Sequence, residues 1–449
     1  MQEALANKKI PQLLYSLALP AICAQIVSLL YNVVDRIYIG RLPDSALAMA
    51  AIGLCVPLTT IIDAFTGLFG RGGAPLSSIL LGKGEIEEAD YILSNSFIAL
   101  IVTSVVITGG VALFQEPLLY LFGASQETIG YARSYISVYS IGTIFSQLTV
   151  GLNYFINTQG FTKYGMKTVM IGAFLNIILD PFFIFVLDMG VQGAAFATVL
   201  SQCASCLWVL KFFFGKKTIL HIKRKYLKIK WSILKQILML GSAPFFMSAS
   251  EGLLTISFNQ QLLRYGGNLA VSSMTIMISM FNFLLLPIEG LAQGSQPIIS
   301  FNYGAKNDER VRHTISLAFK VTLVYSVLGT LSMELFPHSF VGLFTRDPQL
   351  LELGSRMLRV YVFGCFILGA NSTCQQTYNS LGDGKKSFFF AFYRKIILLI
   401  PLIFILPSLL PNALMAVILA EPISDIVTTF TNVIYFKTFI KRKLNLPAV

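Results

Sequence analysis

Long apolar runs, broken at intervals by Gly, Pro and clusters of charge, dominate this chain. Three windows, Tyr91 to Gln115, Gly190 to Leu210 and Asn268 to Ile288, hold no charged residue at all. A helix rising 1.5 Å per residue needs about 20 apolar residues to cross a bilayer. Between the breaks the pattern predicts twelve such helices. They lie near 12–40, 46–81, 89–115, 129–155, 163–187, 191–214, 232–265, 270–303, 310–336, 349–378, 386–409 and 413–438. Alternation with a period of two is absent, so a barrel is not supported. The first apolar stretch continues past Ala21 to Ile39 and does not read as a cleaved signal. The predicted class is an all-α integral membrane protein.

Composition agrees. Of 449 residues, 55% are hydrophobic and 12% charged, roughly half the charge of an average soluble domain. A fold of this size must expose polar surface, which excludes a soluble enzyme. Six cysteines in apolar stretches exclude a secreted disulfide scaffold. Lys and Arg gather on the cytoplasmic side of membrane proteins, and they set the topology here. With the N-terminus inside, the inner segments collect Lys8, Lys9, Lys83, Lys163, Lys167, Lys306, Arg310, Arg312, Lys385 and Lys386. A central connector adds Lys216, Lys217, Lys223, Arg224, Lys225, Lys228 and Lys230, and the tail adds Lys441, Arg442 and Lys443. Outer loops hold little beyond Arg41, Arg264 and Arg346. Both termini are expected in the cytoplasm, and the net charge of +12 reads as a topology signal touching lipid headgroups, with no nucleic acid implied.

The two halves repeat at an offset of 222. Pro75, Gly82, Glu87, Ser94, Phe97, Leu121, Phe122 and Val138 match Pro297, Gly304, Glu309, Ser316, Phe319, Leu343, Phe344 and Val360. Tyr139, Gly142, Asn157, Gly160 and Lys163 match Tyr361, Gly364, Asn379, Gly382 and Lys385. Two six-helix lobes follow, 1–214 and 232–449, joined by a basic cytoplasmic connector at 215–231. Six helices is an even number, so both lobes enter the membrane in the same direction. A pseudo-twofold axis along the membrane normal is expected, with substrate between the halves and alternating access as the mode of work. The connector is expected to be a tether that tolerates relative displacement of the lobes, so that a short insert alters transport only modestly.

Candidate chemistry lies where the repeats differ. Asp35 corresponds to Asn259, and Asp180 approximately to Ile400. Counting residues puts Asp35, Asp180 and Thr198 roughly 8–11 Å below the outer boundary, and Asn176 shares a helix face with Asp180. Two carboxylates at one level cannot both be charged cheaply, so one binds a proton or a cation lies between them. Hard oxygen ligands suit Na⁺ as well as H⁺. The plainer alternative is that Asp35 caps helix 1 and Asp180 marks a bend before Pro181. The other acids, Asp63, Glu251, Glu289, Glu421 and Asp425, read as scattered, with few basic partners at their depth. Glu251 and Glu421 stand as candidates to attract a cationic substrate, or else as buried hydrogen-bonded acids. No GxxxxGK[ST] loop and no histidine metal site is visible. Energy is expected from an ion gradient or mass action, without a cofactor or an enzymatic centre.

Three segments carry a resemblance. NIILDPFFIFVLDMGVQGAAFATVLSQ (Asn176–Gln202), VVDRIYIGRL at the outer end of helix 1 and QPIISFNYGAKNDERVR at the end of helix 8 resemble the multidrug and toxic compound extrusion (MATE) family. The likeness covers the whole chain and looks nearest to the bacterial drug-export and DNA-damage-inducible branch. It implies efflux of amphipathic, often cationic drugs in exchange for H⁺ or Na⁺ across a bacterial cytoplasmic membrane, by a protein expected to be monomeric. Carried over by motif, the coupling or Na⁺ site falls on Asp35, Asn176, Asp180 and Thr198. The helix-1 bend falls on Pro20, and Tyr139, Asn153 and Asn157 border the pocket. Arg71 and Pro75 depart from the smaller or apolar residues usual at the end of helix 2. Glu251 resembles a C-lobe acid of another branch, which leaves that lobe open as the coupling site. A flippase for a lipid-linked saccharide or peptidoglycan precursor is the alternative function. Its relatives more often have a strongly basic lumen, whereas the inferred lumen here is acidic.

Overall fold

A computed structural model describes residues 2–444, and all regular structure among them is helical. The spans are α1 (Ile10–Ile39), α2 (Ser45–Lys83) and α3 (Ile86–Leu121), then α4 (Ile129–Ile141 with Thr143–Thr158). Next come α5 (Thr162–Pro181, continued by Phe182–Val186) and α6 (Gly190–Phe213). The run Trp231–Gly304 is broken at Gly267, whose φ of 64° only glycine adopts readily, giving α7 (231–266) and α8 (268–304). The rest are α9 (Asp308–Leu335), α10 (Pro348–Val362, Phe363–Ile367 and Leu368–Ser380), α11 (Gly384–Phe392, Tyr393–Leu399 and Ile400–Leu409) and α12 (Ala413–Lys443). Twelve spans in two lobes are thus present among the described residues.

Apolar periodicity alone did not reveal the bends. α4 turns by 53° between its two segments, at Gly142. The equivalent Gly364 lies in the tight 3₁₀ turn that interrupts α10. α1 runs unbroken through Pro20, the position implied for a bend.

Duplication survives as repeated contacts. Ser78 donates to the Thr158 carbonyl at 3.4 Å, and Ser300 to the Ser380 carbonyl at 2.8 Å. Asn153 donates to the Gly165 carbonyl at 3.3 Å, and Gln375 to the Ser387 carbonyl at 3.4 Å. In both cases donor and acceptor of the second bond stand 222 residues beyond those of the first. The axis itself passes between α2 and α8. A Cβ on Gly82 would meet the Phe301 carbonyl oxygen at 1.9 Å, and one on Gly304 would meet that of Ile79 at 1.9 Å. These are one contact made twice. Lipid offers helices no hydrophobic reason to pair, so close backbone approach at small residues does that work. Further close contacts between lobes, Gly72 and Gly241 of α2 and α7 and Gly294 of α8 against Ala18, fall in the same half of the molecule.

That half carries the basic segments. Asn302 and Arg310 donate to the Leu5 carbonyl, each at 3.1 Å, and so tie the N-terminal segment to the C-lobe. The connector, expected as a tether, is docked on the N-lobe. Gln159 Oε1 accepts from Thr218 Oγ1 (3.0 Å), Ile219 N (2.8 Å) and Leu220 N (3.0 Å). His221 N donates to Asp90 Oδ1 at 2.8 Å, and Lys230 N to Asn95 Oδ1 at 2.8 Å. Leu220, Ile222 and Tyr226 are buried. Gln159, Asp90 and Asn95 are polar groups at the ends of N-lobe helices, and the connector's backbone is what satisfies them. It is thus docked along the N-lobe base.

Candidate functional site

Between the lobes, on the side away from the packed glycines, lies a cavity of about 530 Å³. Its wall includes Tyr31, Asp35, Asp63, Arg71, Tyr139, Asn176 and Thr198. α1, α5 and α6 build its acidic corner. Pro181 has no N–H to donate, and just beyond it α5 loosens into a π turn, with Leu187 N reaching the Phe182 carbonyl at 3.0 Å. Asp180 is held at the entry to this turn, within the helix rather than at its end. Asn176 Nδ2 donates to Asp180 Oδ1 at 3.1 Å and reaches Thr198 Oγ1 at 3.5 Å. Asp35 lies close enough for the two carboxylates to feel each other's charge. Asp35 Oδ1 and Asp180 Oδ2 are buried with no hydrogen-bond partner among the described residues. Such oxygens need a proton or a cation. No basic side chain forms an ion pair with either acid there, and no third metal-ligating acid, His or Cys joins them among the described residues.

The C-lobe answers the same problem differently. Arg394 in the π turn of α11 donates from Nε to Asp425 Oδ1 at 2.6 Å and from Nη2 to Glu421 Oε1 at 2.7 Å. Its neighbour Lys395 pairs with Glu251 and donates to the Met247 carbonyl at 2.8 Å. This corrects the expectation that these acids are scattered and short of basic partners. Helix packing brings Glu251, Glu421 and Asp425 from α7 and α12 onto adjacent bases of α11. The signal was present in the sequence as an Arg-Lys pair inside an otherwise apolar run. Glu251 lines a second cavity of about 220 Å³, together with Arg71, Asn157, Gln375, Arg394 and Lys395. Glu421 is buried behind Arg394. The lumen therefore carries both signs of charge, where the sequence had suggested an acidic one.

The remaining candidates separate. Tyr139 lines the large cavity, stacked on Tyr135 at 5.7 Å. Asn153 and Asn157 border a third cavity of about 170 Å³ beneath it. Pro20 is buried inside α1. Asp63 and Arg71, left aside or noted only as a departure in the sequence, both face the large cavity.

Known proteins resemble the chain over nearly its full length. Multidrug export protein MepA of Staphylococcus haemolyticus (strain JCSC1435) is 28% identical over 92% of this chain and 91% of its own length. MepA of Staphylococcus aureus (strain MSSA476) is 28% identical over 90% and 89%. The solved structure of the MATE multidrug transporter DinF-BH in complex with rhodamine 6G is 33% identical, covers 98% of both chains and superposes with a TM-score of 0.90. An outward-facing MATE transporter of the MOP superfamily, 24% identical, shares the fold with a TM-score of 0.91 over 98% of both chains. The MatE family model matches residues 20–182 and 244–405, one copy in each lobe. With a matched repeat on either side of the cavity, the chain belongs to the MatE family, the multidrug and toxic compound extrusion transporters.

Proposed function

We propose that the protein is a secondary active multidrug exporter that exchanges amphipathic, often cationic compounds for H⁺ or Na⁺ at Asp35, Asn176, Asp180 and Thr198. The single observation that carries the coupling site is the pair of buried, unpartnered carboxylate oxygens on Asp35 and Asp180 beside the drug-sized cavity. A cation bound there and a cationic drug cannot share the acidic corner without competing, and that competition is the basis of exchange. The relatives named for multidrug export and the neighbour solved with rhodamine 6G support the drug side of this reading. Placing the basic face in the cytoplasm, with both termini there, leaves the lobes sealed inside and the large cavity toward the outside. The membrane is then a bacterial cytoplasmic membrane, and one chain suffices as the working unit.

Proteoliposomes containing the purified chain test the reading. An imposed pH or Na⁺ gradient should drive accumulation of ethidium, and only the coupling cation's gradient should do so. Transport that ignores both gradients would overturn the exchange. A flippase reading would instead require translocation of a lipid-linked pyrophosphate, and a parallel assay with such a lipid distinguishes it.

A further inference from the structure

Arg71 is a charged residue of the cavity that the cation exchange does not use, as are Arg36 and Asp63. It stands on α2 and lines all three cavities, at the place where the N-lobe and C-lobe spaces meet. Its Nε donates to the Tyr154 hydroxyl at 2.8 Å, and the guanidinium lies 5.3 Å from that ring's centre. Tyr154 thus fixes the plane of the group. The two terminal nitrogens make no hydrogen bond to protein among the described residues. Unlike Arg394 and Lys395, Arg71 has no carboxylate within the 4.0 Å of an ion pair there. Glu289 shares the second cavity with it and Asp63 the first, near enough to act on its charge but not to pair with it, and an arginine at membrane depth without an ion pair points to a ligand. Guanidinium geometry suits a carboxylate, which two parallel N–H groups can hold at once.

Asp63 stands eight residues earlier on the same helix, about 12 Å toward the other end of the cavity, and lines the same space. Asp35 lies in that acidic region as well. One wall therefore offers a site for an amine and, a ring system's length away, a site for an acid. We propose that Arg71 is an anion-binding subsite of the central cavity, the residue that holds the carboxylate of an acidic or zwitterionic amphipath. This rests on the drug-export reading and adds a specificity-determining residue to it.

A matched pair of dyes tests it. Rhodamine 6G is a cationic ester, and its free acid is a zwitterion with the same ring system. Binding of each to the purified full chain is measured by fluorescence polarisation. Wild type should bind the acid at least as tightly as the ester. Arg71→Gln should lower the ratio of acid to ester affinity by tenfold or more, whereas Arg71→Lys should keep that ratio within threefold. On wild type alone, 2-naphthoate should displace the acid and leave the ester in place, which covers the case of a Gln variant that does not fold. A wild type that prefers the ester tenfold, an unchanged ratio in a folded Arg71→Gln protein, or a failure of naphthoate to displace the acid would each overturn the subsite. Proteoliposomes that export neither dye would sink the drug-export reading itself. Export of the ester with indifference to the carboxylate sinks only the role of Arg71.

Discussion

The N-lobe builds its polar centre from α1, α5 and α6, and the C-lobe builds its own from the equivalent α7, α11 and α12. Both α5 and α11 carry a π turn near a proline, at Phe182–Val186 and at Tyr393–Leu399. The N-lobe brings two acids together without a base and leaves an oxygen of each unpartnered. The C-lobe brings three acids together with Arg394 and Lys395, and each acid has a basic partner, although Asp425 Oδ2 also lacks a hydrogen bond among the described residues. Unpaired buried charge is unstable unless something reversible occupies it, and paired buried charge is held in place. One scaffold, duplicated, thus yields an acid pair without an ion-pair partner in one lobe and an ion-paired cluster in the other, which is the contrast the proposed exchange site rests on. What differs is the side chains on three helices, while the serine and amide contacts that hold the helices recur.

Breaking the N-lobe side should have the largest effect. Asp180→Asn keeps the shape and the Asn176 contact but cannot take up and release a positive charge. Gradient-driven ethidium transport should fall to that of protein-free liposomes while the purified protein elutes and melts like wild type. Retained transport would remove the N-lobe acids from coupling.

Arg394→Met attacks the opposite lobe. Glu421 and Asp425 then stay buried without a base, at a cost of about 3–5 kcal/mol. Thermal melting in detergent should register it, and adding Glu421→Gln and Asp425→Asn should recover most of the loss. A triple variant no more stable than the single one would show that the ion cluster is not what Arg394 supports.

The shared scaffold allows a control that treats both lobes alike. Gly82→Ala and Gly304→Ala each force a methyl group against a backbone carbonyl, and each should cost about 1–3 kcal/mol and slow export by similar factors. Unequal effects would mean that the packed face is less symmetric than its contacts. Gln159→Ala probes the docked connector. The N–H groups of Ile219 and Leu220 lose their acceptor, and about 1–2 kcal/mol of local stability should go with them, read as faster amide exchange over residues 218–221. A flexible insert near residue 215 should by contrast change transport little.

Glu251→Gln is expected to be the mildest. Its side chain is 63% exposed in the cavity, so losing the pair with Lys395 should cost no more than about 1 kcal/mol. Drug preference, measured as the ratio of ethidium to rhodamine transport, should shift without loss of gradient dependence. Complete uncoupling here, with Asp35→Asn silent, would exchange the roles of the lobes.

Apolar run length was enough to predict twelve helices, because a bilayer demands about the same number of apolar residues from every span. An offset of 222 was enough to predict two lobes, since packing residues such as Gly82 and Gly304 are needed in both copies. The acidic pair was also legible, through its asymmetry against the repeat and the helical spacing of Asn176 and Asp180. Bends at Gly142 and Gly364 were not legible, because glycine is common within membrane helices and only the neighbouring helix decides where one turns. The same holds for Arg394. Adjacent bases in an apolar run announce that partners must exist, but not that those partners sit on α12 and α7, 27 to 144 residues away. The docking of the connector was not legible for a related reason: its basic composition says which surface it prefers, while the groups that hold it, Gln159, Asp90 and Asn95, lie on other elements. Sequence thus determined the number, length and duplication of the helices, which are local consequences of hydropathy. Which charges are paired and which are left without an ion-pair partner was decided only by tertiary packing, because pairing depends on distances between helices far apart in the chain.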